Sequence, residues 1–500
     1  MPRWKYRDTE VVSLKKCVIE ALRKALSHGY QLSPDAIEYL EEVNDPISII
    51  SDILNQVHRK NLYVINRKLI ENYLDHTNLK ENAKYRQLAK AKDFDIEIEV
   101  LENPSSVHIE TSFKGFLDHF ISRYQQLSRI LRTRFDLKDA MTIADAKRSS
   151  SEVCVVGLVY EKRTTNSGNT LVSIEDPTGI LDIIIPNDPI MKEKIRDVIP
   201  DICIGVRGTM RGGILIAKDI MFPEIIPPAP SKSPPLSVVL ISDIHAGSSL
   251  FSQKAFYKFI NWLKGKKGNS KMRTLAESVK YVIISGDLID GAGIYPGQEK
   301  ELSIKDVDKQ YEFIANMLSE IPEHIHIILI PGNHDATSPA LPYISFFKEY
   351  AYPIYELSNV SVLADPALIS IHGTKILISH GRSLDDILSV TPGLSFTKEG
   401  VAKAMRNLLR YRHLAPLYGS RTPILPVPYD FLVIRTIPHI LHMGHVHICT
   451  IHKYKGVLLV NSGTWQEQTS YQFSMGITPT PYKVPVVRLD TLQTFLLDFS

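Results

Sequence analysis

Five short polar motifs occur in fixed order along the second half of this 500-residue chain: Asp243-Ile244-His245, Gly286-Asp287, Gly332-Asn333-His334-Asp335, Ser379-His380-Gly381 and Gly444-His445-Val446-His447. The first four each follow an apolar run of strand length, at 237–242, 281–285, 325–330 and 376–379. The polar groups therefore stand at strand ends. In an open α/β sheet the carboxyl ends of the strands border the ligand crevice, so side chains distant in sequence converge there. The order of the motifs constrains 237–500 to an α/β domain built around one pocket.

The donors are carboxylate, imidazole and amide groups. That set suits Mn²⁺, Fe or Zn²⁺ better than Ca²⁺, which takes oxygen ligands, or a Cys-bound structural zinc. Two ions need a bridging carboxylate. Asp287 is the best candidate, because it directly follows its strand and its two oxygens can hold ions roughly 3.5–4 Å apart. Each motif alone is unspecific, since a lone His at a strand end is usually structural. The ordered set of five carries the reading, and His324, His326, His372, His413, His439, His442 and His452, which match none of it, are read as structural.

These motifs resemble the calcineurin-like metallophosphoesterase superfamily, whose consensus runs D-x-H, G-D-x-x-D, G-N-H-[D/E], H and G-H-x-H, with every element present here. The resemblance implies one divalent ion on Asp243, His245, Asp287 and His447, and a second on Asp287, Asn333, His380 and His445. It also implies that His334 stands beside the scissile phosphate, oriented by Asp290, where an imidazole can stabilise charge and protonate the leaving oxygen. Asp335 is left to orient its neighbours. The protein phosphatase branch follows the second Asp with Arg, a clamp for phosphomonoesters; Asp290-Gly291 departs from that pattern and favours a diester.

A net charge of +3 does not by itself indicate nucleic acid. Local clusters say more. Lys264, Lys266, Lys267, Lys271 and Arg273 crowd one connection, Lys403, Arg406, Arg410 and Arg412 line a helical segment, and Arg382 follows the fourth motif. Lys264, Lys266, Lys267, Arg382, Arg406 and Arg410 are the candidate DNA contacts, the alternative for the clusters being a solvated charged face. Cys17, Cys154, Cys203 and Cys449 lie far apart without C-x-x-C spacing, which fits a reducing, cytoplasmic setting. The charged amino terminus and the lack of a membrane-length apolar run predict a soluble protein with no membrane partner.

The expected architecture is multidomain α+β. Val12, Leu14, Val18, Leu22 and Leu26 at roughly helical spacing, with Ser33-Pro34 as a helix start, predict a small helical domain over 1–79. Lys90, Lys92, Asp93 and Asp95 mark 80–112 as a charged flexible linker, with a short strand over 94–100 as the alternative. A helical connector follows at 113–150. Five strand-like runs, at 153–160, 170–174, 181–185, 202–208 and 214–216, with a helix at 191–199, predict an OB-fold β-barrel over 151–226. Few aromatics stand on those strands, so protein docking is preferred there to base stacking. A stiff Pro-rich linker at 227–236 leads into the calcineurin-like α/β sandwich of 237–500. Gln493, Leu496 and Phe499 have the spacing of a sliding-clamp peptide, but 486–489 and 494–499 read better as a closing β-hairpin.

This domain order resembles the accessory B-subunits of replicative DNA polymerases. Retention of every metal ligand, together with Gly381-Arg382-Ser383-Leu384-Asp385-Asp386, is similar to the small-subunit family of archaeal D-family polymerases. The resemblance implies a Mn²⁺-stimulated proofreading 3′-to-5′ exonuclease acting on single-stranded or mismatched DNA 3′ ends, paired with a large catalytic subunit. The alternatives are a catalytically silent scaffold and a small-molecule phosphodiesterase. Intact ligands argue against the first, because buried unpaired polar groups cost free energy, and the additional domains argue against the second.

Overall fold

Val18, Ala21 and Ala25 recur at i, i+3 and i+7, and this stripe is buried in the helix Lys16–Ser27. The four-residue spacing that runs from Leu14 to Leu26 drifts by about 40° per step around a helix of 3.6 residues per turn. Leu26 accordingly ends 58% exposed. The computed structural model describes residues 14–28, 30–43, 45–57, 64–71, 73–74, 88–105, 107, 109–110, 112–165 and 168–500; Val12 lies outside them. The chain divides into units 1–87 and 88–500. In the first, helices Pro34–Glu41, with Ser33 at its N-terminal boundary and Pro34 at its first position, and Pro46–Val57 pack with Lys16–Ser27 around Leu40, Ile50, Ile53 and Ile65.

The second unit contains two six-stranded sheets. In one, Val360–Val362, His326–Ile330, Val279–Ser285 and Ser237–Ile241 run parallel, and the antiparallel hairpin Lys483–Arg488 and Thr494–Asp498 completes the edge. In the other the order is Thr450–Tyr454, Val457–Asn461, Ile440–Met443, Thr374–Ile378, Ala367–Ile371 and Ile98–Glu102. Alternate residues of the two sheets, such as Val238, Leu240, Ile283 and Ile328 from one and Ile369, Ile376, Ile440 and Val460 from the other, form one buried core. The opposite faces are also buried; Ser237–Ile241 and Val279–Ser285 contain no exposed residue, which is why they read as unbroken apolar runs.

Between Ile98–Glu102 and the remaining sheet strands the chain forms a closed five-stranded barrel, built from Glu152–Thr164, Thr170–Asp176, Gly179–Ile185, Cys203–Arg211 and Ile214–Met221. Helix Pro189–Arg196 follows the third strand, with Asp188 as its N-cap. Helix Phe113–Arg132 is pinned between the barrel and the sheets. Its Leu127 and Leu131 pack with Val156 and Cys203 of the barrel, while fully buried Arg123 donates from Nε to Asp430 at 2.8 Å and from Nη1 to the Pro416 carbonyl at 2.6 Å.

Three expectations change. The described part of the supposed linker, from residue 88, is not free: Ile98–Glu102 pairs antiparallel with Ala367–Ile371, and Ala91, Phe94 and Ile98 enter the sheet core. Local charge hid this because a strand at a sheet edge tolerates exposed acidic side chains. The proline segment is likewise laid along the domain, its Ser233 donating to the His372 carbonyl and its Ala229 carbonyl meeting His439 Nε2. Arg406 and Arg410, in helix Lys398–Tyr411, are already paired within the fold. Both reach Asp197 at the end of the barrel's helix, at 3.4 and 2.5 Å, and Arg410 stacks over Phe222. At the carboxy terminus Phe499 is buried against Trp262 and Phe259, leaving Leu496 exposed, which suits a closing hairpin rather than a clamp peptide. Among the described residues no helix is long and apolar enough to cross a membrane.

Candidate metal centre

The parallel strands Ser237–Ile241, Val279–Ser285 and His326–Ile330 of one sheet, and Thr374–Ile378 and Ile440–Met443 of the other, each deliver one motif from their carboxyl ends. Beyond the strands the chain must turn sharply. Asp243, His245, Asp287, His445 and His447 all have φ between 52° and 69°, the left-handed region that costs a non-glycine residue of order 1–3 kcal/mol. Such strain persists where the surroundings over-determine it, and it gathers here at donor-bearing residues.

Glycines let the carboxylates in. A Cβ at Gly332 would stand 2.2 Å from Asp287 Oδ1, and one at Gly444 2.4 Å from Asp243 Oδ2. Asp335 ties two motifs together by accepting the backbone N–H groups of Gly332, Leu288 and Ile289. Burial and the neighbouring Asp287 charge nevertheless raise its pKa to about 7.

The donor atoms converge in three groups, Asp243–His245–His447, His245–Asp287–His334 and Asp287–His380–His445, within each of which they lie no more than 4.8 Å apart. His380 Nδ1 meets the Ser285 carbonyl at 2.9 Å, so Nε2 faces inward, 3.3 Å from Asp287 Oδ2 and 3.1 Å from Asn333 Oδ1. His245 Nδ1 lies 2.9 Å from Asp290 Oδ1, which turns its Nε2 toward His447 Nε2 at 3.0 Å and Asp287 Oδ2 at 3.7 Å. His447 Nε2 is 3.4 Å from Asp243 Oδ1.

Such crowding of lone pairs calls for a cation. Burial pulls the pKa values of these imidazoles down; at His447 and His334 it prevails and lowers them, whereas at His380 and His245 the carboxylates outweigh it. Asp287 and Asp243 hold His380 at about 10, and Asp290 with Asp287 and Asp243 holds His245 at about 9. A site that keeps protons this tightly on buried imidazoles is electrostatically suited to divalent ions, which displace those protons on binding.

Asp290 differs from the expected role. Its carboxylate serves His245 and accepts from Gln298 and Gln466, whereas His334 Nδ1 meets the Asp290 backbone carbonyl at 2.8 Å and lies 3.9 Å from the carboxylate. A sequence motif names the residue, not which of its oxygens is used.

His245, Asp287, Asp290, Asn333, His334, His445 and His447 open onto a cleft of about 360 Å³ that Arg382 and Arg421 also line. Arg382 donates to the Tyr343 hydroxyl at 2.8 Å. Lys264 is paired with Glu320 at 2.7 Å; Lys266 and Lys267 are exposed and, like Lys264, do not line the cleft.

Sequence reasoning assigned no role to Asp385, Gln472, Arg421 or Tyr295. Asp385 Oδ2 lies 3.1 Å from His445 Nε2, and the Gln472 amide lies 2.7 Å from His447 Nδ1. Asp386 fixes Arg421 by accepting from the Ser420 hydroxyl and the backbone N–H groups of Arg421 and Thr422. Only the Asp385-Asp386 pair, five and six residues after His380, offered a signal.

The family profile for the B-subunits of DNA polymerases alpha and epsilon matches residues 238–449. The DNA polymerase II small subunit of Methanothermobacter thermautotrophicus is 37% identical over 485 residues, 96% of this chain and 100% of that one. That of Pyrococcus abyssi is 42% identical over 80% of this chain, which spans 65% of that longer relative, and that of Archaeoglobus fulgidus is 37% identical over 93% of this chain and 95% of its own. Among solved structures, one described as a novel archaeal phosphodiesterase covers 52% of this chain and 99% of its own at 15% identity and TM-score 0.26, too remote a likeness to bear on activity.

Proposed function

The chain belongs to the family of DNA polymerase II small subunits, polymerase accessory subunits whose name implies a large catalytic partner, and on that premise we propose that its two-sheet domain is a two-metal 3′-to-5′ exonuclease. The observation that carries this reading is the convergence of Asp243, His245, Asp287, His380, His445 and His447, with His334 beside them, at the base of one cleft that His245, Asp287, His334, His445 and His447 line.

Asp243, His245, Asp287 and His447 would hold one divalent ion, and Asp287, Asn333, His380 and His445 the other, with Mn²⁺ the best fit to this donor set and Fe or Zn²⁺ next. Ions there supply Lewis acidity toward the phosphate and lower the pKa of water. The protein's own groups do the rest. Asp290 keeps the Nδ1 proton of His245, and the Ser285 carbonyl that of His380, so that each presents Nε2. His334 donates its Nδ1–H to the Asp290 carbonyl and so turns Nε2 to the substrate. Burial lowers its pKa while Asp287 and Asp290 oppose that, and only as the imidazolium, with a second proton on Nε2, would it protonate the leaving 3′-oxygen and free a nucleoside 5′-monophosphate. Arg382 and Arg421 grip the diester's non-bridging oxygens.

The test is release of 5′-mononucleotides from 3′-mismatched DNA with Mn²⁺, by the wild type, His334→Ala and Asp287→Ala, with and without the large subunit. The reading expects release by the wild type and its loss in both variants. Bound Mn²⁺ with no release in either setting would make the domain a scaffold.

A further inference from the structure

Around the cleft the side chains alternate in character. Arg382 and Arg421 are cationic, while Tyr295, Phe396, Tyr471, Ile294, Val446 and Ile477 are aromatic or aliphatic. A site for a small phosphodiester needs the arginines but not the rings. The rings are also unequally used. Phe396 packs against the hydrophobic core, and Tyr295 donates its hydroxyl to Glu301 at 2.8 Å with its ring edge 6.4 Å, centre to centre, from His334. Tyr471 does neither: the residue is 57% exposed, lines the cleft and makes no side-chain hydrogen bond or ring contact among the described residues.

The backbone that carries Tyr471 is nonetheless held at the site. It stands in helix Ser470–Ser474, closed by a capping box in which Gln472 accepts from the Thr469 N–H, and the same Gln472 side chain reaches His447 Nδ1 at 2.7 Å. A solvent-exposed aromatic on a backbone anchored one residue away by a donor-holding amide is a flat apolar face beside phosphate-binding groups.

Resting on the exonuclease reading above, we propose that Tyr471 is a specificity-determining residue that stacks an unpaired nucleobase next to the scissile phosphate, with Tyr295 beside His334 as the second platform on the leaving-group side. Every base offers a π-face, so stacking is indifferent to sequence but demands an unpaired nucleotide. The cleft, at about 360 Å³ near the lower end of the range for small-molecule pockets, suits individual nucleotides in place of a base-paired end. Selectivity for frayed over paired 3′ ends follows from these two rings.

The test compares wild type with Tyr471→Ala and Tyr471→Phe in the full chain. Hydrolysis of oligo(dT) and of bis(p-nitrophenyl) phosphate is measured with Mn²⁺, and binding of a single strand ending in 2-aminopurine is followed by its fluorescence with Ca²⁺ in place of Mn²⁺. Base–aromatic stacking predicts that Tyr471→Ala raises KM for oligo(dT) by about 5- to 100-fold and abolishes the fluorescence quenching. The ratio of DNA to small-diester hydrolysis should fall accordingly, and Phe should restore both. A KM within about twofold of wild type, loss of both substrates in equal proportion, or failure of Phe to rescue would overturn the proposal. The binding arm needs no turnover, so a wild type that quenches 2-aminopurine but hydrolyses neither substrate sinks the nuclease reading and spares the stacking one.

Discussion

Gly332→Ala tests whether Asp287 is held where two cations need it. The added Cβ would lie 2.2 Å from Asp287 Oδ1, 2.5 Å from its backbone N and 2.9 Å from Cγ, where ordinary contact begins at 3.4 Å. Rotating the side chain cannot relieve contact with a backbone nitrogen, so the Asp287 turn must retreat by about 1 Å, the scale of misplacement that costs about 100-fold in rate. That corresponds to about 2.7 kcal/mol of barrier. The substitution is otherwise clean, because Gly332 does not occupy the left-handed region and alanine adds no torsional strain. Gly444→Ala, crowding Asp243 Oδ2 at 2.4 Å, is its counterpart for the first ion. Mn²⁺ binding by calorimetry and Mn²⁺-dependent hydrolysis of bis(p-nitrophenyl) phosphate are the assays. We expect both variants to lose about two orders of magnitude in rate and to bind Mn²⁺ more weakly. A folded Gly332→Ala protein with both quantities within about threefold of wild type would refute the assignment of Asp287.

The imidazoles make the metal-free protein sensitive to alkali. The pKa of His380, about 10, and that of His245, about 9, stand above the ordinary 6.5, so their contribution to stability is complete below about pH 6.5 and is lost as pH rises through 9 to 10. Thermal melts in EDTA should therefore show a falling Tm across that window, whereas Mn²⁺ affinity should rise with pH as the competing protons leave; a flat profile in both would count against the coupling. Asp385→Ala should weaken Mn²⁺ binding by about 10- to 100-fold, the usual effect of removing a partner that orients a ligand histidine, read by the same calorimetry as a loss confined to one of the ions. Asp430→Asn leaves fully buried Arg123 without its counter-ion, a change that costs about 3–5 kcal/mol. Urea unfolding followed by the fluorescence of buried Trp262 and Trp465 should show it, and Arg123→Met combined with Asp430→Asn should recover part of the loss.

The strands beneath the motifs were legible because they are buried on both faces and so appear as continuous apolar runs, and the polar residues that end them were legible because ligand chemistry restricts residue type. The five barrel strands and the carboxy-terminal hairpin emerged from the same short-range patterns. Other features depended on partners remote in the chain. Ile98–Glu102 is a strand only because Ala367–Ile371 offers it an edge. Arg406 and Arg410 are interface residues only because folding brings Asp197 to them. Nothing local distinguishes Asp385 or Gln472 from any surface acid or amide until His445 and His447 arrive beside them. Residue types and their spacing thus dictate which donors the chain has and that strand ends will gather them. Which atom of each donor faces the centre is a property of the folded molecule, because a ring nitrogen or a carboxylate oxygen is oriented by the hydrogen bond made on its other side, and that bond comes from elsewhere in the fold.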